Sequence, residues 1–120
     1  MTKSSPNINN PAIDLEFLRG IIDNDKEFEK ELFEIFVDNA KKNINKLEEA
    51  ISADDNNAWY MASHAFKGAA TSVGAFNLAE ILENAQQSPE ENSSAKRKIL
   101  EKIKDDFDDV LGFIKNNIAS

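Results

Sequence analysis

The only histidine of this 120-residue chain, His64, lies in the segment SHAFKGAATSVG, residues 63–74. Lys67 follows it by three residues and Gly68 by four, and in a helix these positions share one face. An imidazole is partly neutral at physiological pH and can then act as a nucleophile. A phosphoryl group on its nitrogen would carry negative charge, which the ammonium of Lys67 could stabilise. The spacing therefore favours an imidazole that takes up an anionic group.

Gly68 is an unexpected residue in a segment that otherwise suits a helix. Glycine in a helix interior costs roughly 1 kcal/mol relative to alanine. On an outward face its absent side chain clears an approach to His64 for another molecule. The alternative interpretation is that His64 and Lys67 are ordinary surface residues beside a tolerated glycine.

A helical projection of about 100° per residue divides this segment into two sides. The predicted core face consists of Ala58, Trp59, Ala62, Ala65, Phe66, Ala69, Ala70 and Val73. His64 lies about 200° from Ala62, opposite that face. The residues that share its side are Tyr60, Met61, Lys67, Gly68 and Thr71.

Apolar periodicity and capping residues predict five helices. The first four cover residues 14–23, 26–53, 56–73 and 76–87, and Gly74 ends the third. The last begins either in a capping box at Ser88-Pro89-Glu90-Glu91 or near Ser94. Phe28 opens the apolar stripe of the second helix, and the acidic residues between the apolar ones are interpreted as solvated faces.

No segment alternates as a strand would, and the connections are short. The sequence therefore predicts an all-α protein, an antiparallel up-and-down four-helix bundle with a short additional N-terminal helix. Residues 1–12 are polar, contain two prolines and are predicted to form a flexible N-terminal arm. Residues 13–120 are predicted to form the bundle domain.

Composition excludes several classes of function. The net charge of −8 argues against binding to nucleic acid or to an anionic membrane. The sequence contains no cysteine and no apolar run long enough to span a membrane, and its first residues do not have the pattern of a signal peptide. One histidine without cysteine does not supply a usual zinc site, and no nucleotide-binding glycine motif is present. These features predict a soluble cytoplasmic protein, and the charged outward helix faces favour a monomer.

The motif His64-Ala65-Phe66-Lys67-Gly68-Ala69-Ala70, followed by Gly74-Ala75, resembles the histidine-containing phosphotransfer (HPt) family. The resemblance covers residues 14–118 in helix order and length as well. It implies a phosphocarrier without kinase or phosphatase chemistry of its own, either a stand-alone protein or an excised domain. His64 would be the phosphorylated residue, Lys67 the charge-stabilising partner and Gly68 the access position, and Gln86 stands where some members hold the imidazole.

The implied partners are response-regulator receiver domains and a hybrid sensor kinase. The resemblance implies no cofactor in this chain, since Mg²⁺ would belong to the partner receiver. Docking would use an apolar patch formed by Tyr60, Met61 and the ends of the first two helices. The competing hypothesis is a helical adaptor that docks through the same face without being phosphorylated.

Overall fold

The computed structural model describes residues 11–118, which fold into five helices without a strand. The helices are α1 (Leu15–Ile21), α2 (Lys26–Ala53), α3 (Asn56–Ser72), α4 (Phe76–Gln87) and α5 (Ser93–Asn117). The all-α prediction is confirmed, and each of the first four helices begins and ends within two residues of its predicted bounds.

Polar side chains cap four of the five helix N-termini. Each accepts a hydrogen bond from the backbone N–H three residues later, which satisfies one of the unpaired donors of the first turn. These caps are Asp14, Asp25, Asp55 and Asn92. Because Asn92 caps α5, the helix begins at Ser93, close to the predicted start near Ser94. The alternative start in a capping box at Ser88 is wrong, and residues 88–91 lie between the helices.

The bundle closes into a ring in which α2 contacts α3, α3 contacts α4, α4 contacts α5, and α5 contacts α2. Lys104 of α5 pairs with Glu48 of α2, whereas Phe107 meets Phe36. A later residue of α5 therefore contacts an earlier residue of α2, so these two helices are antiparallel. In this arrangement α3 and α5 lie diagonally across the bundle, so their outward faces point in opposite directions.

The core is built from apolar side chains of all five helices and of the segment that precedes α1. Trp59 and Phe66 of α3 are fully buried, and the Trp59 indole N–H donates to the carbonyl oxygen of Ala85 in α4 at 2.9 Å. This bond satisfies a buried polar group and fixes the rotation of α3 against α4.

Two residues predicted to be buried are exposed. Ala65 is exposed, whereas Ser63, two residues earlier, is fully buried. The buried face of α3 is therefore rotated from its predicted position toward Ser63. Phe28 is 46% exposed because the inward position of the first turn of α2 is taken by Glu29. The helical period predicts which side of a helix is buried. It does not predict which of the residues at the border of that side a neighbouring helix covers.

Glu29 also corrects the interpretation of the acidic residues as solvated faces. Its side chain is buried, and its two carboxylate oxygens accept from Arg19 Nε at 2.8 Å and Arg19 Nη2 at 3.1 Å. This hydrogen bond and the Glu29 charge raise the pKa of Arg19. A paired carboxylate at this position ties α1 to the start of α2.

The predicted N-terminal arm, residues 1–12, lies outside the described residues except for Pro11 and Ala12. Ala12 is buried, as is the following Ile13. Within residues 11–118 no helix is both long and apolar enough to cross a membrane.

Candidate functional site

His64 lies in the middle of α3, between the two fully buried aromatic residues Trp59 and Phe66. These residues fix the rotation of the helix, and His64 is consequently exposed on the outward side, as the helical projection predicts. Because α3 is held in the core both before and after His64, the imidazole has a well-defined position. A reacting group requires such a position.

Tyr60 packs on the imidazole from one turn earlier in α3. The two rings are nearly parallel, with an interplanar angle of 9° and centroids 6.1 Å apart. This offset arrangement is a favourable one for aromatic rings. Tyr60 thus covers one side of His64 and restricts the rotation of the imidazole, while its own ring stays 39% exposed.

Lys67 is joined to α4 through Glu83, a residue that the sequence analysis did not select. Lys67 Nζ donates to Glu83 Oε1 at 2.6 Å, and Gln87 Nε2 donates to Glu83 Oε2 at 2.6 Å. The hydrogen bond from Lys67, followed by the Lys67 charge, lowers the pKa of Glu83, and the nearby His64 contributes in the same direction. The spacing of Glu83 and Gln87, four residues apart, was the available signal, but it does not reveal a partner on another helix.

Gly68 is exposed, and the space beside it is open. A Cβ atom built on Gly68 would meet no other part of the protein within 4 Å. Packing among the described residues therefore does not require a glycine here. This agrees with the predicted outward face and leaves access to His64 as the hypothesis for its presence.

Met61 is 60% exposed beside the imidazole. It lines a shallow groove between α2 and α3, together with Ala65, Lys46, Glu49 and Ala53. Thr71 is also exposed, and its hydroxyl donates to the carbonyl oxygen of Lys67 at 2.9 Å. This bond lies within α3, so the Thr71 hydroxyl is not bonded to the imidazole of His64.

Gln86 of α4 is half-buried, and its Oε1 has no hydrogen-bond partner among residues 11–118. The hydroxyl of the buried Ser63 likewise has no hydrogen-bond partner among residues 11–118. No hydrogen bond links Gln86 to His64 in this structure, so support of the imidazole by Gln86 stays a prediction. Over the described range, no three side chains of His, Cys, Asp or Glu are grouped so that they could hold a metal ion.

Comparison with known proteins agrees with this geometry. The Hpt domain family matches residues 31–112, more than half of the chain, a range that includes His64, Lys67 and Gly68. No curated protein is similar enough to this chain to match it. The crystal structure of histidine-containing phosphotransfer protein B (HptB) from Pseudomonas aeruginosa PAO1 is similar in fold, with a TM-score of 0.80 and 22% identity. The likeness covers 89% of this chain and 94% of that one. By its sequence match, and with the fold and the exposed histidine described above, this chain belongs to the Hpt domain family.

Proposed function

We propose that this protein is a phosphocarrier of a multistep two-component phosphorelay. His64 accepts a phosphoryl group from the aspartyl phosphate of one receiver domain and passes it to another. The observation that carries the proposal is the combination of an exposed imidazole on an anchored helix with open space at Gly68, within the part of the chain that matches the family.

The chemistry is a displacement at phosphorus. The lone pair of one imidazole nitrogen of His64 forms the N–P bond, and the P–O bond to the aspartyl carboxylate breaks. The carboxylate leaves with the bonding electron pair, and the proton on the other ring nitrogen stays on the imidazole. Mg²⁺ held by the receiver would stabilise the charge on the phosphoryl oxygens, and this chain supplies the nucleophile and its position.

Receiver domains dock, in this proposal, on the apolar surface around His64. Tyr60 and Met61 contribute from α3. The proposal adds to this surface the exposed apolar residues of the first two helices, and these are Ile21, Phe28 and Ile35. A contiguous patch of exposed apolar side chains is the kind of surface that marks a protein interface.

The remaining properties follow from the same proposal. The protein acts as a carrier without its own kinase or phosphatase activity, in the cytoplasm, as a monomer. A hybrid sensor kinase is a further partner through its receiver domain. The charge of −8 disfavours nucleic acid and anionic membranes as partners.

The test is transfer of phosphate from a ³²P-labelled phosphorylated receiver domain to this protein and to the His64→Gln variant. We expect acid-labile label on the parent and none on the variant, with an unchanged helical circular dichroism spectrum. Equal labelling of both proteins would place the phosphate elsewhere. A parent that binds receivers but takes up no label would be a docking adaptor, and the proposed function would be wrong.

A further inference from the structure

The ammonium of Lys67 is already occupied by an anion of this chain. Its Nζ lies 2.6 Å from Glu83 Oε1, and the side chains of Lys67 and Glu83 are 30% and 40% exposed. The second oxygen of Glu83 accepts from Gln87 Nε2 at 2.6 Å. A phosphoryl group on His64, one turn before Lys67, must therefore compete for the ammonium with a carboxylate that is held in place.

We propose that Glu83 is a positioning residue that competes with the phosphoryl group for Lys67 and so limits how readily His64 is phosphorylated. The inference rests on the proposed function, since it concerns the same histidine. It adds to the site a residue of α4 that the sequence analysis did not select.

The exchange of acceptors is physically easy. An ion pair between side chains that water reaches is weak, because solvent and salt compete with it. Lysine carries its charge on a flexible four-carbon stem, so the ammonium can move between two acceptors without moving α3. The phosphoryl group offers more negative charge and more acceptor oxygens than a carboxylate.

Gln87 holds the carboxylate in place during this exchange. Its amide donates to Glu83 Oε2, the oxygen that Lys67 does not contact. This bond does not depend on Lys67, so we expect Glu83 to stay close to the ammonium and to keep competing for it. A glutamate carboxylate is ionised at neutral pH, where the competition would take place, and the hydrogen bond from Lys67 lowers the pKa of Glu83 further. Neutralising Glu83 releases Lys67 for the phosphoryl group.

The experiment uses phosphoramidate, a small donor whose protonated nitrogen leaves as ammonia while the N–P bond of phosphohistidine forms. The rate constant of phosphorylation is measured by mass spectrometry for the parent, Glu83→Gln, Lys67→Ala and the double variant. Glu48→Gln is the matched control, because Glu48 accepts from Lys104 at 2.5 Å in a pair of similar exposure that joins α5 to α2. A small donor removes receiver docking from the measurement.

We expect Glu83→Gln to be phosphorylated about two- to fivefold faster than the parent, the range that an exposed ion pair spans. Lys67→Ala should be slower than the parent, and adding Glu83→Gln to it should change nothing. Glu48→Gln should match the parent. The advantage of Glu83→Gln should also shrink as salt rises, a dependence that a purely structural role would not produce.

The outcomes separate the inference from the proposed function. An unlabelled parent protein would overturn the proposed function, and the inference with it. A labelled parent with Glu83→Gln at the same rate or slower would overturn the inference alone. An equal acceleration by Glu83→Gln with and without Lys67 would also overturn it, because Glu83 would then act by direct repulsion of the donor.

Discussion

The backbone N–H of Asp14 donates to the carbonyl oxygen of Gly74 at 2.9 Å, which fastens the start of α1 to the turn between α3 and α4. Gly74 has a φ of +81°, in the left-handed region that glycine adopts without the strain that most side chains, alanine included, would cause there. A Cβ atom at this position would lie 2.9 Å from the carbonyl oxygen of Asp14. Conformation and close approach thus both require glycine at the end of α3.

We predict that Gly74→Ala destabilises the protein by about 2–3 kcal/mol, because it combines a left-handed alanine with a backbone clash. The measurement is urea unfolding followed by circular dichroism. Gly20→Ala is the control, since a Cβ at Gly20 meets nothing within 4 Å and alanine favours the helix. A Gly74→Ala variant as stable as the parent would contradict the close approach.

The Arg19–Glu29 pair should respond unequally to the loss of either partner. Arg19→Met leaves the carboxylate of Glu29 buried without its cation, and we expect a loss of about 2 kcal/mol. Glu29→Gln leaves a guanidinium whose side chain is 35% exposed, so water replaces the carboxylate and the loss should be about 1 kcal/mol. Thermal unfolding at pH 7 gives both values.

The double variant Arg19→Met/Glu29→Leu provides the control for this prediction. It removes both charges and leaves apolar groups, so its stability should lie closer to the parent than that of Arg19→Met. A double variant no more stable than Arg19→Met would contradict the unpaired charge of Glu29 as the cause of the loss in that single variant.

Most of the fold could be predicted from the sequence, because local signals determine it. Capping residues such as Asp25 and Asp55 stand directly before the helices that they begin, and the apolar stripe of α2 repeats with the helical period. The outward direction of His64 follows from the same period, and the structure confirms it.

The side-chain contacts between helices could not be predicted from the sequence. Glu29 and Glu83 look like any other acidic residue in a helix, and their partners, Arg19 and Lys67, lie on other helices. The exposure of Ala65 likewise depends on how α3 turns against its neighbours. Such features arise from packing geometry, which a single periodicity does not encode.

Met61 provides a test of docking that is independent of the chemistry at His64. Met61→Glu places a charge in the exposed apolar surface, so transfer from a phosphorylated receiver should slow by about tenfold or more. Labelling by phosphoramidate should slow far less, because a small donor needs no docking surface and responds only to the added charge. Time courses of phosphorylation by the receiver and by phosphoramidate measure the effects on docking and on the chemistry.

The control for Met61→Glu is Asn116→Glu, which adds the same charge at an exposed position of α5, diagonally across the bundle from α3. Transfer from the receiver to this variant should match the parent. If both variants slow transfer equally, net charge governs the encounter, and Met61 has no special part in docking.

Gly68 is the position where stability and function should change in opposite directions. Gly68→Gln gains up to roughly 1 kcal/mol of helix propensity, since glycine is a poor helix former and the space beside it is open. The same side chain stands one turn from His64 and should block a receiver, whose phosphorus must come to about 3–3.5 Å from the imidazole nitrogen. Thermal unfolding and receiver transfer are the two measurements.

Gly112→Gln in α5 is the matched control, because a Cβ there also meets nothing within 4 Å and the helix faces away from α3. Both variants should unfold at or above the parental temperature, and only Gly68→Gln should lose transfer from the receiver. Phosphoramidate should still label His64 in both, since a small donor can pass a glutamine side chain. If Gly68→Gln unfolds well below Gly112→Gln, the glycine serves packing. If it is stable and transfers at the parental rate, access to His64 does not explain the glycine.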